Sequence, residues 1–331
     1  MITALDIRDY TGGSIFRIFH HNRIRVEHLY CDSAAVKSVT YEHYRGKISR
    51  TAIDRFVGSQ RGSVLCAEDT NLPEGYVRFK SSELSRRMCE NTALYLLRAA
   101  APDSFKTVLI DRSGDSVDLC EHLAEYSDPV YVVTDATDLY TEYAEYLLEE
   151  KGAALRVSRS GGCLRGADLI VSPGKITFDL CCHPTAVILS GEKPSVRQDA
   201  PVVYDYFFDL PKKYRDLKPE YLDDMYFASA LYSIGRSSEL GSELFTRCGD
   251  GTVIHTRMSL VEFLKKRALT RYFLTSTGCC HIIYLVCEYP IQIIVKDNKC
   301  INRKEDNYGK TRNAHPGGLE AARRGARLFK R

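Results

Sequence analysis

Between residues 107 and 192, short apolar runs alternate with longer segments that have one apolar face. The runs are rich in Val, Ile and Leu. Two of the intervening segments, 116–126 and 138–150, repeat apolar residues at the spacing of an amphipathic helix. Continuous β-branched runs separated by such helices are typical of a parallel sheet that is covered on both faces. The predicted strands are 107–111, 130–135, 154–157, 167–171 and 186–189.

An additional α/β unit is predicted ahead of this sheet. Apolar and polar residues alternate in segments 14–19 and 24–29, which predicts a β-hairpin. A repeat of every four residues predicts a helix over 38–57. A second helix is expected to begin at Ser82, which is a candidate N-cap, and to end near Pro102, because proline disfavours helical conformation in the residue before it.

The pattern after residue 192 predicts a mixed segment. Residues 202–210 are aromatic and strand-like. Pro219 stands at a favourable first position for a helix that reaches Ile234, and Asp223 and Asp224 are interpreted as part of its solvated face. A last short helix is predicted over 259–266.

Composition indicates a globular protein. The chain has 331 residues, 44% of them hydrophobic and 27% charged. The apparent absence of a signal peptide predicts a cytoplasmic location, and no apolar stretch is long enough to cross a membrane. The twelve cysteines include no C-x-x-C pair, so we interpret them as reduced thiols that act as small core residues.

Charge is distributed unevenly along the chain. Residues 296–331 hold eleven Lys and Arg and four Asp and Glu, a net charge of +7. Because the whole chain carries only +3, the remainder carries −4. The basic end could contact phosphates, but it has few aromatic residues to stack on bases. It is therefore interpreted as a poorly ordered terminus, and nucleic acid is not expected as a partner.

The carboxyl ends of the predicted parallel strands indicate where a ligand would bind. In open parallel sheets, ligands occupy the crevice outside these ends. Each of the corresponding loops is rich in small or polar residues, which turns and helix caps also require. The candidate ligand-binding residues are Asp111, Ser113, Gly114, Asp135, Ser172 and Gly174.

The segment from about 105 to 192 resembles the Rossmann-type NAD(P)-binding domains of dehydrogenases. A helix follows each of the first two predicted strands, and Asp135 stands at the end of the second strand. It lies 21 residues after Gly114, where such domains place the acid that binds the adenosine ribose. The resemblance implies that NAD or NADP is a candidate cofactor and that the segment around Ser172 and Gly174 faces the nicotinamide.

The glycine motif of that family is incomplete here. The expected G-x-G-x-x-G turn should follow Ile110, but the chain has residues 111–116, DRSGDS, with Gly114 as the only glycine. Asp111 and Asp115 also bring negative charge to the place where a pyrophosphate would bind. The sequence therefore disfavours a dinucleotide in the usual position.

No strong signature of a metal site or a nucleophile is present. The tripeptide Cys-Cys-His occurs at 181–183 and again at 279–281. Adjacent cysteines in a strand point to opposite faces, so they make a poor zinc chelate. His183 and His255 are candidate general bases, but a histidine in a polar loop is more often a surface residue.

We therefore expect a Rossmann-like, mostly parallel α/β sheet with an additional N-terminal α/β module. The function predicted is a non-catalytic module that binds an unidentified ligand or partner protein and has lost the dinucleotide fingerprint. The alternative is a divergent NAD(P)-dependent oxidoreductase. The predicted divisions are an N-terminal module at 1–102, the Rossmann-like domain at 103–200, a mixed segment at 201–267 and a divergent basic tail at 268–331.

Overall fold

The computed structural model describes residues 1–10, 21–31, 34–44, 48–100, 105–235, 237–242 and 246–276. The chain divides into two compact units, Met1–Phe273 and Leu274–Arg331. The predicted hairpin arm at 14–19, the second Cys-Cys-His tripeptide and nearly all of the predicted tail lie outside the described residues.

The N-terminal part of the chain forms a three-stranded mixed sheet. Its strands are β1 (Ile2–Asp9), β2 (Arg23–Cys31) and β3 (Ala34–His43), in the spatial order β1-β3-β2. β3 runs parallel to β1 and antiparallel to β2. The predicted helix over 38–57 is wrong for its first part, and α1 covers only Arg50–Val57.

The reason lies in β3 itself. Val36, Val39 and Tyr41 are buried, and β3 has a strand on each side that supplies its backbone hydrogen bonds. These long-range pairings stabilise an extended conformation over a segment that also carries a helical repeat. α1 then begins after Ser49, whose side chain caps the helix by accepting a hydrogen bond from Ala52 N.

A long helix, α2 (Glu83–Ala100), connects this sheet to the central one. The central sheet has six strands, all parallel. In spatial order the strands are β6 (Leu155–Ser158), β5 (Val130–Val133), β4 (Thr107–Ile110), β7 (Leu169–Ser172), β8 (Val187–Ser190) and β9 (Val202–Val203).

Counted in chain order within this sheet, the spatial order of the strands is 3-2-1-4-5-6. The order reverses between β4 and β7, which makes that boundary the topological switch point. All five predicted strands are confirmed and run in one direction. The sheet is therefore a Rossmann-like parallel sheet, as the sequence predicted.

The two faces of this sheet are covered differently. α2, α3 (Leu119–Ala124) and α4 (Thr137–Lys151) contribute to the hydrophobic cluster on one face, which includes Leu109, Val132 and Leu189. The other face is covered by a 3-10 helix, Gly161–Gly166, and by apolar residues of the connection after β7, Ile176 and Leu180. The connections on this second face are short, so they bury the sheet without an α-helix.

After the central sheet, the chain adds a small antiparallel sheet and three α-helices. The sheet has the order β10 (Asp205–Phe207), β11 (Arg247–Gly249), β12 (Ile254–Thr256). The helices are α5 (Lys212–Arg215), α6 (Asp224–Ser233) and α7 (Arg257–Ser276).

Three predictions for this region are corrected. The strand-like run 202–210 is divided at Tyr204 between two sheets. α6 begins at Asp224 rather than at Pro219, because Asp223 Oδ1 accepts hydrogen bonds from Met225 N and Tyr226 N and thereby fixes the first turn. α7 extends beyond the predicted 259–266 at both ends.

No helix in the described ranges combines the length and apolar character needed to cross a membrane.

Candidate functional site

The turn after β4 is built around the carboxylate of Asp111. This residue is only 6% exposed. Its Oδ1 accepts a hydrogen bond from Gly114 N at 3.1 Å, and its Oδ2 accepts one from Ser116 N at 2.8 Å. Oδ2 also accepts a hydrogen bond of 2.6 Å from the hydroxyl of Tyr140 on α4.

The Asp111 carboxylate thus occupies the place that a phosphate would need. In dinucleotide-binding turns, free backbone N–H groups at this position point at the pyrophosphate. Here two of those groups are already bonded to an anionic side chain of the same turn. Gly114 has φ of +87°, the left-handed conformation that favours glycine. In this conformation its N–H donates to Asp111 Oδ1.

Asp135 lies beside the same turn but is held by a neighbour. Its Oδ1 accepts a hydrogen bond of 2.9 Å from Nη1 of Arg112, and its side chain is 65% exposed. The guanidinium of Arg112 also lies over the ring of Phe178, 4.6 Å from its centroid. Asp135 and the β4 turn are therefore connected through Arg112.

Ser172 and Gly174 follow the next strand across the switch point. The hydroxyl of Ser172 donates to the carbonyl oxygen of Gly174 at 3.2 Å, and Ser190 at the end of β8 donates to the same oxygen at 3.3 Å. A Cβ built on Gly191 would lie 2.0 Å from the carbonyl oxygen of Pro173. The two loops are therefore packed against each other, and Gly191 is required for that approach.

An arginine that the sequence reasoning missed connects these groups. Arg86, in the first turn of α2, places Nη1 3.5 Å from Asp115 Oδ2 and Nη2 3.8 Å from Glu192 Oε1. It thereby links the turn after β4 to the loop after β8. The predicted residues share one edge of the sheet, but their polar groups are bonded mainly to one another and to neighbouring protein groups.

A cleft of about 630 Å³ lies next to this edge. It is lined by the loops after β8 and β9, by the residues before and within the first turn of α2, and by the start of α6. Its volume is in the range of small-molecule sites, ~300–1,000 Å³. The lining residues with chemical roles are Lys80, Ser85, Glu192, Lys193, Tyr204, Asp205, Asp223 and Tyr226.

Acidic and basic groups meet in this cleft. Partial burial raises the pKa of the Asp205 carboxyl, and the nearby Asp223 carboxylate raises it further, while Lys193 opposes the rise. Asp223 uses Oδ1 to cap α6, which leaves Oδ2 for other contacts. Lys193 Nζ lies 6.0 Å from the centroid of the Tyr204 ring.

Two of the cleft residues, Tyr204 and Asp205, could have been found from the sequence. Tyr204 and Asp205 directly follow β9, so they belong to the same edge as the other strand ends. The pattern of 202–210 predicts a single strand, so its third and fourth residues, Tyr204 and Asp205, were not expected at a strand end. Lys80 and Asp223 approach the edge only through tertiary packing.

The tripeptide at 181–183 does not form a metal centre with other described residues. No group of three or more His, Cys, Asp or Glu side chains in the described part of the chain is arranged to hold a metal ion. His183 is instead bonded within its own loop, where Nδ1 lies 2.8 Å from Thr185 Oγ1.

The strand order and the edge residues define the class of protein as Rossmann-like α/β, with a cleft beside the strand ends. No protein-family model matches the sequence, and no curated protein matches it. Among solved structures, the chain is similar to L-tryptophan dehydrogenase from Nostoc punctiforme, with 14% identity, 84% of this chain and 82% of that chain covered, and a TM-score of 0.25. It is also similar to ornithine carbamoyltransferase from Pyrococcus furiosus, with 9% identity, 81% and 84% covered, and a TM-score of 0.27. At these scores, the fold assignment rests on the strand order.

Proposed function

We propose that this protein is a non-catalytic binding module that holds a small molecule in the cleft and binds no dinucleotide at the β4 turn. The observation that supports this most directly is the bonding of the Asp111 carboxylate to Gly114 N and Ser116 N. A pyrophosphate would have to displace a buried carboxylate and then lie beside it. Repulsion between like charges in a poorly solvated turn makes that exchange unfavourable.

The cleft supports the binding part of the proposal. It combines ligand-sized volume, aromatic walls and several charged groups at the edge where parallel sheets bind ligands. It is separated from the β4 turn by Arg86, which pairs with both Asp115 and Glu192. A ligand in the cleft would contact the β8 and β9 ends without using the dinucleotide position.

The strand order supports a second candidate, a divergent NAD(P)-dependent oxidoreductase. The order 3-2-1-4-5-6 is that of dinucleotide-binding sheets. In that case Asp135 would have to release Arg112 and bind the ribose, and Ser172 and Gly174 would lie on the nicotinamide side.

Thermal unfolding in the presence of NAD⁺ and NADP⁺ separates the two candidates. A ligand that binds only the folded state raises Tm by mass action. The binding-module proposal predicts no shift with either dinucleotide, for the wild type or for Asp135→Ala. A rise in Tm with NAD⁺ or NADP⁺ that Asp135→Ala abolishes would establish the oxidoreductase instead.

The role of the cleft is tested with a panel of small polar metabolites and two size-matched variants. Ser85→Phe places a ring in the cleft, whereas Thr141→Phe places one on the exposed side of α4. The Ser85 hydroxyl donates a hydrogen bond to Ser82 O, and the Thr141 hydroxyl donates one to Thr137 O. Each substitution therefore removes one local hydrogen bond. We expect any compound that raises Tm of the wild type to lose its effect in Ser85→Phe and keep it in Thr141→Phe.

A further inference from the structure

The cleft carries charges of both signs within one small volume. Lys80 and Lys193 are its basic side chains, and Glu192, Asp205 and Asp223 are its acidic ones. Glu192 is partly neutralised by Arg86 at 3.8 Å. Two lysines and two carboxylates then remain to meet a ligand, so the cleft has no net preference for an anion or a cation.

Accepting the proposed function of ligand binding, we propose that the ligand is a small zwitterion with one carboxylate and one ammonium group. Its carboxylate is bound by Lys80, Lys193 and the first turn of α2. Its ammonium group is bound by Asp205 and Asp223. The ligand class is therefore that of free amino acids and related amino carboxylates.

The basic part of the cleft suits a carboxylate. Lys80, Ser82 and Ser85 line the cleft around the start of α2, where the Ser81 hydroxyl already accepts a hydrogen bond from Glu83 N. The first turn of a helix carries partial positive charge, which favours a nearby anionic group. Neither Lys80 nor Lys193 forms an ion pair with a residue that the structure describes. Both ammonium groups are thus available to an anionic group.

The acidic part suits an ammonium group. Asp205 and Asp223 line the same cleft, and the Asp223 carboxylate raises the pKa of the Asp205 carboxyl in addition to the effect of burial. A cation between them removes that repulsion, and an ammonium group has three N–H donors for the oxygens that remain. A ligand with only negative charge would add to the repulsion, which argues against a phosphate or a dicarboxylate here.

Aromatic and thioether groups form the rest of the wall. Tyr204, Met225 and Tyr226 line the cleft and are each partly buried. Such side chains pack well against apolar groups. We therefore expect amino acids with an apolar or aromatic side chain to bind more tightly than glycine or alanine.

The test uses three probes that share a benzyl group and differ in their charged groups. L-phenylalanine carries both groups, L-phenylalaninamide lacks the carboxylate, and 3-phenylpropanoate lacks the ammonium group. Binding of each at millimolar concentration is measured by isothermal titration calorimetry on the full chain, with glycine as the small zwitterion. We expect L-phenylalanine to bind about tenfold or more tightly than either single-charge analogue, because each loses a charge-assisted contact.

Two variants test which protein residue binds each charged group of the ligand. Asp205→Asn should remove the advantage of L-phenylalanine over 3-phenylpropanoate, and Lys193→Gln should remove its advantage over the amide. Asp199→Asn and Lys175→Gln change exposed residues outside the cleft and should leave both ratios unchanged. Circular dichroism of each variant verifies that it is folded.

The possible outcomes separate this inference from the proposed function. Equal or tighter binding of either single-charge analogue, or no binding of any of the four probes, overturns the zwitterion assignment. The proposed function would still stand in that case, because binding of a small molecule in the cleft is measured separately with the metabolite panel. Binding of NAD⁺ or NADP⁺ that depends on Asp135 overturns the proposed function itself.

Discussion

The hydroxyl of Tyr140 donates a hydrogen bond of 2.6 Å to Oδ2 of Asp111, and this bond joins α4 to the turn after β4. Tyr140 is fully buried. Burial, followed by the hydrogen bond to Asp111, raises the pKa of its hydroxyl, so the group remains a donor across the physiological range. The turn is therefore fixed from inside the protein.

The first prediction follows from that bond. Tyr140→Phe leaves a buried carboxylate without one of its donors, so we expect the free energy of unfolding to fall by ~1.5–3 kcal/mol. Tyr146→Phe, on an exposed part of the same helix, should change it by less than ~0.5 kcal/mol. Urea titration of both variants checks this. Equal values for the two would mean that the Tyr140 bond contributes little.

The second prediction concerns a buried ion pair. Arg267 Nε on α7 lies 3.4 Å from Asp168 Oδ1, and the two side chains are 3% and 0% exposed. Asp168 Oδ2 also accepts a hydrogen bond from Lys106 N at 2.9 Å. Arg267→Met removes one partner and should cost ~3–5 kcal/mol, because it leaves an uncompensated buried charge.

Two comparisons make that experiment specific. Asp168→Asn combined with Arg267→Met should be less destabilising than Arg267→Met alone, since the double variant buries no charge. Lys265→Met changes an exposed cation on the same helix and should be close to neutral. A double variant that is as unstable as the sum of the two single variants would exclude coupling between these residues.

The third prediction concerns pH. Lys213, at 2.7 Å, and then the Tyr214 hydroxyl lower the pKa of the Glu239 carboxyl from 4.5 to about 2. A lowered folded-state pKa stabilises the protein above the unfolded value, and that stability is lost as pH falls from about 4.5 toward about 2. Because Glu239 is 45% exposed, the contribution is at most ~1 kcal/mol.

Glu239→Gln tests this contribution. At neutral pH the variant should be less stable than the wild type, and the difference should shrink as the solution is acidified below the ordinary glutamate pKa. Glu145→Gln, an exposed substitution on α4, is the control. Guanidinium titrations across this pH series provide the measurement, and a constant difference at every pH would contradict the assignment.

The fourth prediction compares two glycines of adjacent loops. Gly191→Ala places a Cβ 2.0 Å from Pro173 O and 3.0 Å from Arg86 Cα, and both contacts are with backbone atoms. We expect the free energy of unfolding to fall by ~1–3 kcal/mol or more, because relieving these contacts requires the backbone itself to move. Gly174→Ala meets nothing within 4 Å and should be nearly neutral. Thermal unfolding of both variants provides the measurement. Equal stability of the two would contradict the packing argument.

Local patterns predicted the central sheet well. Strands β4, β5, β7 and β8 are short apolar runs whose residues are mostly buried, and such runs are recognisable without knowledge of their neighbours. The incomplete glycine motif at 111–116 was also apparent from the residues. In contrast, β3 carries a helical repeat, and its extended form depends on pairing with β1 and β2.

The candidate site was predicted only in part. The sequence correctly placed Asp111, Asp135 and Ser172 at one edge of the sheet, because the carboxyl ends of parallel strands lie at the same edge. The sequence could not show that Arg86 would link two of those loops, because Arg86 belongs to a helix that precedes the sheet. The cleft was missed for the same reason, as Lys80 and Asp223 come from the starts of two different helices.

The sequence by itself determined five strands of the central sheet, their parallel direction, and that the usual glycine cradle is incomplete. These properties depend on side chains a few residues apart. Tertiary structure alone decided that Asp111 fills the cradle from within and that lysines and carboxylates from distant segments meet beside β8 and β9. Contacts between residues far apart in the chain depend on how helices pack on the sheet, and no local pattern specifies that packing.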